Sequence, residues 1–174
     1  NKSDDKIAKF CKNKKISYFR GSLNNVFKRT KECLIKHKFS SFVRICSDRP
    51  FVDPVEIKKI IKIFKKNKYD IVTNQLNKKC PKGLACEIAK TKIFLNLNDD
   101  LINKNDREHI FNFFYRNKKK YKIFDILNKT YKKGKNKNLS IDTKKDFSKI
   151  NRLFKKYRNI HIETNKVLKD LEKN

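Results

Sequence analysis

The chain is poor in the residues that make turns, membrane spans and metal clusters. Its 174 residues contain three glycines, three prolines and no methionine. Gly21, Gly83, Gly134, Pro50, Pro54 and Pro81 all fall between apolar-periodic segments and mark the turns. Gly21 and Gly83 are candidates for positive φ or close backbone approach, while Gly134 reads equally well as an ordinary turn glycine. No apolar run approaches the length of a membrane span and no signal peptide is visible, so no membrane partner is expected. The missing methionine, together with the helix-like start at Ser3-Asp4-Asp5, predicts a piece of a longer protein that lacks its N-terminal end. None of the five cysteines, Cys11, Cys33, Cys46, Cys80 and Cys86, forms a Cys-x-x-Cys pair, and the imidazoles are His37, His109 and His161. That pattern argues against zinc sites and a disulfide framework. Cys33 and Cys46 fall at apolar positions and are expected to be buried, in a reducing, cytoplasmic protein.

Acidic residues are also scarce. The 18 Asp+Glu stand against 47 Lys+Arg, a formal net charge of +29. Such a charge raises the possibility of nucleic-acid binding, where phosphate neutralisation supplies most of the affinity. The basic residues are overwhelmingly Lys, however, and they are spread along nearly every helix face. The abundance of Asn beside Lys follows from A/T-rich codons. The excess therefore predicts non-specific attraction to polyanions and no specific nucleic-acid site.

What the chain does have is alternation of strand-like and helix-like segments. Asp4 to Lys12 reads as an amphipathic helix behind a Ser3 cap, and Ile16 to Phe19 as a short strand. Ser22 is expected to cap a long helix carrying Val26, Phe27, Cys33 and Leu34. Phe42 to Cys46 is a buried strand, stopped at Ser47-Asp48-Arg49-Pro50. Asp53-Pro54 starts a helix through Phe64. Tyr69 to Thr73 is a further strand, and strand–helix–strand spacing of this kind predicts βαβ crossovers and a largely parallel sheet. Beyond an irregular stretch, Leu84 to Ala89 forms another strand, Ile93 to Leu97 and Leu101 are apolar and helical, and Asp106 starts a helix holding Ile110, Phe113 and Phe114. Tyr121 to Leu127 alternates as a strand, and a polar loop around Gly134 follows. Leu139 to Ile141 is a brief strand before Asp142-Thr143. Thr143 and Asp146 form a capping box for the helix with Phe147, Ile150, Leu153 and Phe154. With no internal repeat and no true linker, the reading is one α/β domain over 1–158 and a helical tail over 159–174.

Asp48 stands just past the carboxyl end of a strand, the edge where open α/β sheets bind ligands. Local sequence reads it equally well as a solvated turn residue. Asp142 by itself reads as part of a helix start.

A resemblance adds to this. Phe19-Arg20-Gly21-Ser22, Val43-Arg44-Ile45, Ser47-Asp48-Arg49-Pro50-Phe51-Val52-Asp53-Pro54, Tyr69-Asp70-Ile71-Val72-Thr73-Asn74, Pro81-Lys82-Gly83-Leu84, Arg107-Glu108-His109 and Asp142-Thr143 occur in one order. That order and spacing resemble the cytidylyltransferases of spore-coat polysaccharide biosynthesis type, relatives of CMP-Kdo and CMP-sialate synthetases. The resemblance implies a Rossmann-like α/β/α nucleotide-diphosphosugar transferase sandwich with a mostly parallel mixed sheet. It implies transfer of CMP from CTP to a sugar, for surface polysaccharide, with Mg²⁺ as cofactor and a homodimer as the assembly. Asp48 and Asp142 match the metal-binding, catalytic aspartates, and Arg44 matches an arginine of the central strand. Arg20, Ser22, Asn25 and Arg29 match the nucleotide side; Asn74, Gly83, Leu84, Glu87, Arg107 and His109 match the substrate side. A lone helical histidine such as His109 is more often structural. Ala85 stands where the family often has an aspartate, which leaves a degenerate, non-catalytic relative as an alternative beside the nucleic-acid module. Nothing matches the family's first strand and its Arg/Ser/Lys phosphate loop. The 174 residues are accordingly expected to bind CTP poorly and to show no turnover by themselves.

Overall fold

A computed structural model describes residues 2–77, 80–126, 131, 137–157 and 164–172, the side chains of 165, 171 and 172 excepted. The chain forms two compact units: residues 1–40 with 91–117, and 41–90 with 118–174.

In the first unit, α1 (Asp5–Asn13) follows a short 3₁₀ turn, and Asp4 precedes it without a side-chain cap bond. Ser3 gives its hydroxyl to Asp4 instead of capping the helix. Ile16 to Phe19 is not a strand. The run is apolar enough, but Ile16 and Tyr18 are exposed and the segment pairs with nothing in a ladder. A strand is defined by its partner, which local sequence does not supply. The cap of α2 (Val26–His37) is Asn25, whose side chain accepts the Lys28 N–H. Ser22 acts one turn earlier and accepts the Asn25 N–H at 3.2 Å.

The core of this unit is aromatic. Phe94, on α4 (Thr91–Leu95), stacks on Phe27 at 5.5 Å and meets Phe111 and Phe114 at 5.3 and 4.6 Å. The helix expected from Asp106 is two short helices, α5 (Lys104–Glu108) and α6 (Asn112–Arg116). Asp106 is the third residue of α5, and Asn103 is its cap. The break between them lets Ile110, Phe111 and Phe114 all reach the core.

The second unit is built on a sheet of β1 (Ser41–Arg44), β2 (Ile71–Thr73), β3 (Glu87–Lys90) and β4 (Ile123–Asp125), in the order β1-β3-β2-β4. β2 and β4 pair in parallel, and β3 runs antiparallel to both β1 and β2. β1, β2 and β4 therefore point one way and β3 runs against them. The mixed α/β class stands, with a larger antiparallel share of the pairings than a chain of crossovers predicts. The described residues between Asn74 and Cys86 hold no helix, and an antiparallel neighbour needs none.

The helix α3 (Pro54–Lys66) starts as expected, with Asp53 accepting the Val55 N–H at 2.8 Å and Pro54 in the first turn. It buries Ile60 against Val72, Cys86, Ile88 and Ile126. A second cluster joins Phe51, Leu84, Leu139 and Ile150 to Val167 and Leu168. Thus α7 (Lys144–Tyr157) and α8 (Thr164–Glu172) both pack into this unit, and Thr164 donates its hydroxyl to the Phe51 carbonyl. Cys33 and Cys46 are only half-buried; Cys86 is the buried thiol, and all five cysteines are free. Leu139 to Ile141 is no strand beyond the single parallel bridge of Asn138 to Lys82. Leu127 and the loop around Gly134 lie outside the described residues. Among the described residues no helix is long and apolar enough to cross a membrane.

Candidate active site

Three strands of the second unit end on one edge of the sheet, and β3 begins there. Arg44, Glu87, Thr73 and Asp125 form the last row, paired across the ladder. Asp125 accepts the backbone N–H groups of Leu76 and Asn77, which fixes the start of the loop after β2. The segments 45–53 and 74–77 leave from this edge, 80–86 returns to it, and 137–143 joins them through backbone hydrogen bonds.

Two of these segments meet at Asp48. Its carbonyl accepts the Ile141 N–H at 2.9 Å, so the residue after β1 adjoins the peptide that leads into Asp142. The third segment is stitched to the same place. The Leu139 N–H donates to the Lys82 carbonyl at 2.8 Å. Gly83 has φ +93°, and a Cβ there would lie 2.4 Å from the Leu139 carbonyl carbon and 2.5 Å from the Ser140 nitrogen. This is a position that requires glycine on both counts, conformation and space. Between the segments lies a cleft of ≈ 250 Å³ whose lining includes Asp48, Arg49, Gln75, Lys82, Gly83 and Ser140.

The carboxylate of Asp142 accepts from Lys82 Nζ at 2.6 Å and from Ser140 Oγ at 2.8 Å. These two donors, Lys82 first, hold it below the usual carboxylate range, and Lys82 is raised in return. Asp146 is held low by the Thr143 hydroxyl of the capping box, which forms as expected: Asp146 N–H to Thr143 Oγ1 at 3.1 Å, and Thr143 N–H to Asp146 Oδ2 at 2.9 Å. Arg49 donates to the Ala85 carbonyl at 2.7 Å. Gln75 keeps Oε1 buried without a hydrogen-bond partner. Cys80, also at the cleft, is pushed up to about 12 by burial, so it is a thiol and no nucleophile at neutral pH.

The remaining expected residues of this unit have architectural explanations. Arg44 pairs with Glu87 at 3.1 Å across the strand register, and Glu87 is only 2 % exposed. Asn74 is buried, donating to the Leu84 carbonyl at 3.2 Å and accepting the Cys86 N–H at 3.0 Å. Leu84 is 1 % exposed and belongs to the core. The expectation that Asn74, Leu84 and Glu87 present side chains to a substrate does not fit these positions; they shape the loop that carries Lys82 and Gly83.

In the first unit, Arg20 pairs with Asp5 at 2.7 Å. With Tyr18, Leu23 and Arg29 it lines a cleft of ≈ 310 Å³. Arg29 Nη1 donates to the Ser22 carbonyl at 2.6 Å, and Ser22 and Asn25 organise the start of α2. Gly21 has no positive φ, but a Cβ there would lie 2.8 Å from Arg29 Cγ. Arg107 and His109 are exposed, the latter at the C-terminal cap of α5.

Sequence reasoning passed over Lys82, Gln75, Arg49 and Ser140 as site residues. Lys82 is one lysine in a chain flooded with them. The available signal was its place between Pro81 and Gly83.

A family model described as "Cytidylyltransferase" matches residues 1–173. The chain is 29% identical over 177 residues to the uncharacterized protein MJ1063 of Methanocaldococcus jannaschii, a match that covers 99% of this chain and 70% of that one. A cytidylyltransferase structure from Leptospira borgpetersenii serovar Hardjo-bovis superposes with TM-score 0.87 at 24% identity, over 98% of this chain and 71% of that one. That second likeness is one of fold.

Proposed function

Because the chain belongs to the cytidylyltransferase family, we propose that its nucleotidyl transfer with CTP is directed to a sugar, giving a CMP-sugar for surface polysaccharide. A sugar oxygen forms a bond to the α-phosphorus, the bond to the bridging oxygen breaks, and pyrophosphate leaves with the electron pair. The single observation that supports this reading is the hydrogen bond from Ile141 N–H to the Asp48 carbonyl, which brings the backbone beside Asp142 against a residue that lines the cleft.

The donor set fits Mg²⁺. Asp48 and Asp142 offer hard carboxylate oxygens, and Asp142 already holds a cationic group. Among the described residues no cluster of three or more His, Cys, Asp or Glu could hold a metal ion. Phosphate oxygens and water would complete the shell, as Mg²⁺ commonly allows. When bound, the ion neutralises phosphate charge and fixes the line of attack. In this proposal Asp48 and Asp142 hold the ion, and Gln75 offers an acceptor to the bound substrate. Arg20 and Arg29 serve the nucleotide. A homodimer and a cytoplasmic location belong to the same proposal by family likeness.

The test is pyrophosphate release from CTP, with Mg²⁺ and a panel of sugar acids and amino sugars. The assay uses the protein at its full encoded length. Asp48→Asn and Asp142→Asn are each expected to lower kcat by roughly 100-fold or more with an unchanged melting curve. Full turnover in either variant contradicts the assignment. A chain that binds CTP but releases no pyrophosphate with any acceptor is instead the degenerate relative that Ala85, in the lining of the cleft, would suit.

A further inference from the structure

Lys82 has an unusual combination of a fixed backbone and a loosely held head group. Its main chain is clamped on both sides, by the Leu139 N–H on its carbonyl and by Gly83 pressed against the 139–140 peptide. Its ammonium, by contrast, makes one 2.6 Å contact to Asp142, with side chains 63 % and 41 % exposed. Exposed lysine–carboxylate pairs of this kind are worth little, and they are easily exchanged for another partner. Asp142 has a second neighbour on the same Oδ2, the hydroxyl of buried Ser140 at 2.8 Å, whose one proton is shared with Asn138 Oδ1 at 2.7 Å. The other cation in the lining, Arg49, is tied to the Ala85 carbonyl.

We propose that Lys82 is an exchangeable counter-ion: it neutralises Asp142 while the cleft lacks a divalent cation, and moves to a phosphate oxygen when cation and nucleotide are bound. The proposal rests on the reading above that Asp48 and Asp142 hold the ion. If they do, a divalent charge on the same carboxylate repels the ammonium, and the flexible four-carbon stem of Lys82 then needs a new anion. The phosphates supply one within a cleft that Lys82 already lines. The immobile backbone limits the change to a side-chain swing. The consequence is coupling: the ion alone binds against a competitor, whereas ion and phosphate together bind with its help. Each therefore raises the affinity for the other.

The signature is a substitution with effects of opposite sign. In Lys82→Met, Mn²⁺ alone, followed by water-proton relaxation, is expected to bind about two- to fivefold more tightly than in the wild type. Magnesium pyrophosphate, followed by titration, is expected to bind about tenfold more weakly, the scale of one lost charge-assisted hydrogen bond. If both affinities fall together, or neither changes, Lys82 is only a structural contact and the proposal is overturned. Asp142→Asn separates the two levels. If Mn²⁺ affinity is unaffected there, the carboxylate reading itself fails. If Asp142→Asn weakens Mn²⁺ while Lys82→Met lacks the opposed effects, the counter-ion proposal alone is lost.

Discussion

Asp106 in the first unit and Asp142 in the second each combine a basic partner with a helix start, and they differ in almost every consequential respect. Asp106 is fully buried; Arg116 meets its two oxygens at 2.8 and 2.6 Å, and its side chain also closes the capping box with Asn103. Both oxygens are occupied by a planar fork whose geometry no point charge can replace. Asp142 is exposed, one oxygen takes a lysine and a serine hydroxyl, and the capping of α7 falls to Thr143 and Asp146 instead. The comparison teaches that an acid built into a fold is recognised by saturation of its oxygens. An acid available to a ligand is recognised by a partner that can leave.

The strongest way to break the contrast is to remove the platform under Asp142. Gly83→Ala forces a side chain into positive φ and into the 139–140 backbone. Urea denaturation is expected to show a loss of more than about 3 kcal/mol, with cation binding lost even where the variant still folds. A variant as stable as the wild type would mean that the two loops are not held as described. Smaller, and confined to the first unit, is Asp106→Ala, which removes a cap and a buried two-pronged pair. Its expected cost is about 2 kcal/mol by the same measurement, with Mn²⁺ affinity unchanged. A change in cation binding there would erase the distinction between the two acids.

Sequence made some of this visible and hid the rest for identifiable reasons. Strands near 41–46, 69–73 and 121–127 announced themselves through β-branched and aromatic runs, and Asp53-Pro54 and Thr143/Asp146 through capping chemistry, because those signals are local. Ile16 to Phe19 carries the same local signal without a partner strand, so it misleads. The direction of β3 depends on which edge it joins, which no residue of Glu87–Lys90 encodes. At the site, the order of motifs pointed to Asp48, Gly83 and Asp142; Asp48 and Gly83 line one cleft, and Asp142 pairs with Lys82 of its lining. Asn74 and Leu84 belong to the same set of motifs yet face inward, since a motif can specify a loop as readily as a contact. Lys82 was hidden by the chain's own composition: among 47 basic residues its one mark in sequence is the place between Pro81 and Gly83.

The most direct test of the central claim is amide NMR of the protein during titration with Mn²⁺, whose unpaired electrons broaden nearby resonances. The account predicts early, selective broadening of the segments around Asp48, Lys82 and Asp142, abolished by Asp142→Asn, with the segment around Asp106 left sharp. Broadening centred on Asp106, or none at Asp48 and Asp142 at concentrations that broaden other acidic residues, would contradict it.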